Sequence, residues 1–283
     1  EGSETTIDES QASHGTLMAS IIANQYLDYD GEFVGIAPQA KIVNLDVSNE
    51  ESVFYFSDVL KAFDMILNEK ISLDCLLISF TTLHPSDGTD ILSRACDRLA
   101  EEQGIIIVCP AGNFGPESST IGSPSASKKV LTIGSATKEG TVSYFSGRGP
   151  TLDGRLKPDA CMIGSKVKIF LSNEMEVDLS GTSVAAALAT GVIALLREFN
   201  PDIKITEIQE MLPQVASSLN QAEVSQGHGT LDVVEVFRHQ GLFHEKIMPY
   251  SSLLKRSLSL VAEFIAILGI ISYLLFYYIE LWI

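Results

Sequence analysis

Apolar positions along this chain follow two rhythms. The runs 74–80, 105–109 and 130–136 are apolar or small almost throughout. A short run without alternation is the pattern of a strand covered on both faces. Between the runs lie segments whose apolar residues recur every three or four positions, as a helix with one buried side requires. In 57–69 these are Val59, Leu60, Phe63, Ile66 and Leu67. The segment 91–102 repeats the pattern and closes at Gly104, a residue suited to the left-handed turn that ends a helix. Residues 15–24 read as a short buried helix, and Gly35-Ile36-Ala37-Pro38 as a turn into a strand over 41–47. Helices over 182–199 and 204–219 follow, separated by Asn200-Pro201. Strands alternating with helices demand parallel pairing through crossover helices. The expected fold class is therefore α/β, a doubly wound, mostly parallel sheet with helices on both faces.

The last apolar run differs in kind. Residues 258–283 carry only Glu263 and Glu280 as charges, both near the ends. That length suffices to cross a bilayer. Tyr273, Tyr277, Tyr278 and Trp282 cluster in its second half, as aromatic residues do at a headgroup layer. The expected organisation is a domain over 1–238, a linker over 239–256 and a single transmembrane helix over 257–283, with the lipid bilayer as a partner. Lys255 and Arg256 precede the helix and no Lys or Arg follows it, which by the positive-inside rule favours a cytoplasmic domain. The chain opens at Glu1 without a methionine or apolar leader, so it is expected to begin inside a longer protein.

Composition narrows the function. A net charge of −17 over 283 residues argues against a nucleic-acid partner. Cys75 and Cys109 sit in apolar runs, where a thiol behaves as a small hydrophobe. The four cysteines show neither metal spacing nor a disulfide framework, and no cofactor or metal is expected.

The candidate chemistry lies at element ends. Ser183 follows Gly181-Thr182 and opens a helix of small and apolar residues. Its hydroxyl falls near the positive end of the helix dipole, which suits a nucleophile whose reaction builds negative charge; a serine there equally serves as a helix cap. His14-Gly15-Thr16 opens a second helix far upstream. Asn113 follows the strand 105–109 through Pro110-Ala111-Gly112. It is the residue type of a turn and also of an oxyanion donor. Ser79 lies at the end of the strand 74–80. In such sheets sites gather at the carboxyl ends of strands, and a base, a hydroxyl and an amide there suggest acyl transfer. Ala185 stands where the nucleophile elbow of the α/β-hydrolases has glycine.

These blocks, in this order, resemble the subtilisin-like serine proteases. His14-Gly15-Thr16-Leu17-Met18-Ala19 is similar to their histidine block, Gly35–Ala40 to the turn after it, and Ala111-Gly112-Asn113 to the oxyanion block. Phe145–Pro150 with Asp153–Asp159 is similar to a segment typical of many members, and Gly181-Thr182-Ser183 to the nucleophile block. The resemblance spans residues 14 to about 236. It implies a subtilisin-like fold and hydrolysis of polypeptide substrates through an acyl-enzyme on Ser183. His14 would be the general base, and Asn113 with the Ser183 N–H the oxyanion hole. Ser79, Phe80 and Thr81 would pair with an extended substrate. Ala111, Gly112 and Gly122 would wall the primary specificity pocket, leaving room for a sizeable side chain. His228-Gly229-Thr230 repeats the histidine string after the serine and reads as the glycine turn before the last strand. Because most such proteins act outside the cell, the resemblance favours the extracytoplasmic face.

Three departures stand out. The triad aspartate, which in the family ends a strand within a hydrophobic–Asp–Ser/Thr–Gly string, has no counterpart in residues 1–13 and is expected upstream; Asp8 has no strand before it. Phe80-Thr81-Thr82 stands where glycines are common, so side chains at 81 and 82 would narrow the cleft. Calcium loops occur in relatives, but no loop here clearly carries one. The alternative is a catalytically inactive relative that binds peptides or partners at a membrane.

Overall fold

A computed structural model describes residues 13–27, 34–47, 55–69, 71–172 and 175–242. Asp8, residues 243–256 of the proposed linker and the whole proposed transmembrane segment fall outside the described residues.

The main sheet has six strands in the order β1-β2-β3-β4-β8-β7. Its strands are β1 (Cys75–Leu77), β2 (Ile106–Pro110), β3 (Val130–Ala136), β4 (Ala160–Ile163), β7 (Ala216–Ser217) and β8 (Thr230–Leu231). Every pairing is parallel except β7 with β8. All residues of β2 and β3 are buried, which is why their sequences lost alternation. Ile105, Ile107 and Cys109 join the cluster formed with α2 (Phe56–Asn68) and α3 (Ile91–Gln103). Alternation along the strand turns Ile106 and Val108 to the other face, where α4 (Thr182–Phe199) crosses β1 to β4. The helices thus cover both faces, and α4 is the spine of the domain. Among the described residues it is the one helix long and apolar enough to cross a membrane, and it is mostly buried in the fold.

Helix α1 (His14–Ala23) packs on α4 and on the hairpin of β5 (Val167–Ser172) and β6 (Met175–Leu179). Met18, Ile21 and Ile22 meet Val184 and Ala187 there. Helices α5 (Ile205–Val215), α6 (Glu223–Gln226) and α7 (Val233–His239) complete the domain.

Several expected boundaries shift. The strand expected over 74–80 leaves the ladder early: Ile78 N–H still reaches Val108 O, but by Thr82 the chain bonds to Ser123 O instead. Residues 41–47 form no ladder, although Leu45 and Val47 pack on the core. The helix expected over 204–219 ends at Val215, because Ala216 and Ser217 pair with β8. The long helix over 182–199 and the strand over 130–136 lie as expected.

Candidate active site

The carboxyl ends of β1 and β2 and the N-terminus of α4 share one edge of the sheet. Helix α4 begins after Gly181, which has no side chain to cap it, and the first N–H groups of a helix have no acceptor within it. Asn113 supplies one from outside. Its Oδ1 accepts the Thr182 N–H at 2.9 Å and the Thr182 hydroxyl at 3.0 Å. The same hydroxyl oxygen accepts the Gly112 N–H at 3.2 Å, which commits its proton to Asn113. With both donors on its oxygen, the Asn113 amide must face its Nδ2 away from Thr182. That nitrogen lies near Gly181, as the Ser183 nitrogen does; a β-carbon at Gly181 would be 3.6 Å from Nδ2 and 3.8 Å from the Ser183 nitrogen. An amide nitrogen and a backbone N–H that converge beside a nucleophilic hydroxyl are the donor types of an oxyanion hole.

The loop that carries Asn113 is held from behind. Gly147 N–H donates to Gly112 O at 2.7 Å, and Gly115 N–H to Phe145 O at 2.8 Å. Gly147 packs so closely that a β-carbon there would fall 2.1 Å from Ala111 O. The segment 145–150, noticed in the sequence without a task, is therefore the buttress of the Asn113 loop.

Ser183 Oγ donates to the Ser79 carbonyl at 3.1 Å, so serine 183, Ser79 and Asn113 are brought together. His14 sits at the start of α1, which Ser13 caps by accepting the Thr16 N–H at 3.3 Å. Ile36, whose N–H bonds to Ile21 O, touches Gly191 two turns beyond Ser183. Helices α1 and α4 pack against each other, with His14 on the first turn of one and Ser183 on the first turn of the other. No hydrogen bond joins the two: the serine proton is on Ser79 O. His14 is solvent-exposed, yet the surrounding protein desolvates its ring enough to lower its pKa below the ordinary 6.5.

The glycines of the expected specificity pocket are closely approached by residues 81, 82 and 114. Ala111, Gly112 and Gly122 are buried. Gly112 has a φ of +95°, and a β-carbon on it would meet Thr81 Cγ2 at 3.0 Å and Phe114 Cδ2 at 3.1 Å. At Gly122 a β-carbon would fall 2.1 Å from Thr82 O, so glycine there admits the 81–82 backbone. Neither glycine leaves room for a β-carbon of its own. Phe80 and Thr81 lie half-buried along this edge. His228 lies in the turn before β8, its N–H on Asp159 O at 3.0 Å, on a different part of the domain's wiring. Thr182 and Phe114 escaped the sequence reading; the first hid within a recognised block, the second directly after one.

Comparison with known proteins adds an independent finding. A family model described as the subtilase family, peptidase S8, matches residues 1–230. Serine protease AprX of Bacillus subtilis is 29% identical over 228 residues, covering 70% of this chain and 51% of AprX. The human membrane-bound transcription factor site-1 protease is 28% identical over 256 residues, covering 83% of this chain and 22% of that protein. The chain thus spans less than two thirds of either relative's length. Among solved structures, the prenylagaramide maturation protease PagA superposes with a TM-score of 0.66 at 23% identity, covering 81% of this chain and 83% of that one. The S218A mutant of the protease domain of PatA does so with 0.65 at 25% identity, covering 80% and 79%.

Proposed function

The chain belongs to the subtilase family, and on that premise we propose that it is a serine endopeptidase acting through Ser183. The observation that carries this reading is the locked amide: Asn113 Oδ1 is held by both donors of Thr182, which leaves Nδ2 and the Ser183 N–H for a developing oxyanion. In the proposed reaction a substrate carbonyl enters beside these donors. Substrate N–H groups take the Ser79 carbonyl as their acceptor and displace the serine proton from it. Rotation about the Ser183 side chain then presents that proton to His14. The hydroxyl oxygen attacks the carbonyl carbon, the imidazole accepts the proton and returns it to the leaving amine, and water hydrolyses the acyl-enzyme by the same route reversed. Relatives of this chain are proteases by name, which supports a polypeptide substrate.

We further propose a single membrane anchor over 257–283, which its apolar composition supports, with the domain on the extracytoplasmic face.

The test is degradation of an unfolded protein such as casein by the full-length protein. Wild type is expected to cleave it, and Ser183→Ala to leave it intact. Cleavage at equal rates by both would refute the assignment. Absence of cleavage by wild type would favour the inactive, peptide-binding alternative.

A further inference from the structure

Two glycines stand in the expected pocket wall, and neighbouring residues close on the α-carbon of each. Thr81 Cγ2 and the Phe114 ring lie over the α-carbon of Gly112. Thr82 covers Gly122 with its carbonyl, 2.1 Å from where a β-carbon would sit. The two sides are then stitched together. Thr82 N–H donates to Ser123 O at 2.8 Å, Ser123 N–H to Thr82 Oγ1 at 2.8 Å, and Thr81 Oγ1 to Ser123 O at 3.3 Å. Pro85 pairs with Gly122 one step further on.

The stitching distinguishes a built wall from a loosely placed side chain. To admit a large group between Gly112 and the 81–82 edge, the Thr81 methyl and the Phe114 ring must leave, and Thr81 cannot move far without losing its bond to Ser123. The two obstacles are unequal. Thr81 is half-buried and hydrogen-bonded, whereas Phe114 is 36% exposed and sits at the rim. Thr81 therefore sets the depth of the pocket and Phe114 its mouth.

We propose that Thr81 and Phe114 are specificity-determining residues that restrict the substrate residue on the acyl side of the scissile bond to a small side chain, alanine or glycine. This inference rests on the assignment of residues 79–81 and 111–113 to the substrate cleft in the proteolytic reading. The excluded substrates are those with a large aromatic or branched residue at that position. A hydrophobic slot discriminates only modestly against a smaller group, but a filled one rejects a larger group by steric overlap that the stitched wall cannot relax.

The test separates binding from chemistry. In a Ser183→Ala background, affinity is measured for the peptides Ala-Ala-Pro-Ala and Ala-Ala-Pro-Phe. The first is expected to bind at least tenfold more tightly. Adding Thr81→Ser, which deletes only the methyl over Gly112 and keeps the hydroxyl bonded to Ser123, together with Phe114→Ala, is expected to bring the two affinities within threefold or invert them. Equal binding of the two peptides before those changes, absence of binding included, overturns the proposal. So does a preference that survives them. Failure of the proteolytic reading shows elsewhere, as a wild type that cleaves no protein substrate, and leaves the binding comparison intact.

Discussion

The Thr182 hydroxyl donates to Asn113 Oδ1 at 3.0 Å while accepting the Gly112 N–H at 3.2 Å. One side chain next to the nucleophile thus dictates which way the amide across the cleft faces. Thr182 acts through Asn113, so its loss removes orientation and leaves the donor in place. Thr182→Val is expected to lower kcat/KM roughly tenfold, the equivalent of about one net hydrogen bond, and Thr182→Ser to restore it. Asn113→Ala removes the donor itself and is expected to cost on the order of 10²–10³-fold in kcat, the range for one oxyanion donor in subtilisin. Steady-state kinetics on the three variants checks the ranking. A Thr182→Val enzyme as impaired as Asn113→Ala would mean that Thr182 has a more direct part.

The pH profile follows from His14. Desolvation disfavours the imidazolium, so the folded-state pKa lies below 6.5. The neutral base persists at pH 7 and is lost only as pH falls through that lowered value. For residues 1–283 without the aspartate expected upstream, the acidic limb of kcat/KM is therefore expected to have its midpoint below 6.5. A midpoint well above it would show that a carboxylate outside the described residues stabilises the charged ring.

The site also depends on how α1 is seated. A β-carbon at Gly191 would fall 2.6 Å from Ile36 Cβ, and Ile36 hangs from Ile21 of α1 by its N–H. Gly191→Ala is expected to destabilise the domain by about 1–3 kcal/mol through overpacking, read as a lower urea midpoint. Activity should fall as well, because the displaced helix carries His14. A variant with unchanged stability would contradict this packing.

Beneath the sheet, Lys157 Nζ donates to Asp159 Oδ2 at 2.6 Å and to Val130 O at 2.9 Å, with Thr132 N–H also on Asp159 Oδ2 at 2.6 Å. The lysine side chain is 3% exposed and the aspartate 13%. Lys157→Met alone strands a buried carboxylate and is expected to cost about 3–5 kcal/mol. Adding Asp159→Asn should recover part of that, because it removes the unpaired charge. Chemical denaturation of the two variants distinguishes this from simple loss of packing, which the second change would not repair.

The parts legible in the sequence were those with one strong local signal. Thr182–Phe199 had small apolar residues on all sides, a glycine before it and Asn200-Pro201 after it, and its ends were read to the residue. Gly104, with φ of +66°, ended α3 as its position suggested. The hairpin β5–β6 carries a period-2 signal on one strand only, where Met175, Val177 and Leu179 alternate with Glu176 and Asp178 directly before the nucleophile block. Strands as short as β7 and β8, two residues each, leave no periodicity to read. The three polar and glycine blocks around the site were visible as strings. Their wiring was not, because the bonds from Thr182 to Asn113 and from Ser183 to Ser79 span 69 and 104 positions. The close approach to Gly112 was hidden for the same reason: Thr81 and Gly112 meet only in the fold.

In the proposed reaction Ser183 is a nucleophile made reactive by its surroundings. The most direct measurement is covalent labelling of the folded full-length protein by a fluorophosphonate, with the modified residue located by peptide mass spectrometry. A single phosphonylated serine, Ser183, is expected, with labelling lost in Ser183→Ala and after heat denaturation. Labelling that persists in Ser183→Ala, or a native wild type that takes up no label, would contradict the proposed reaction.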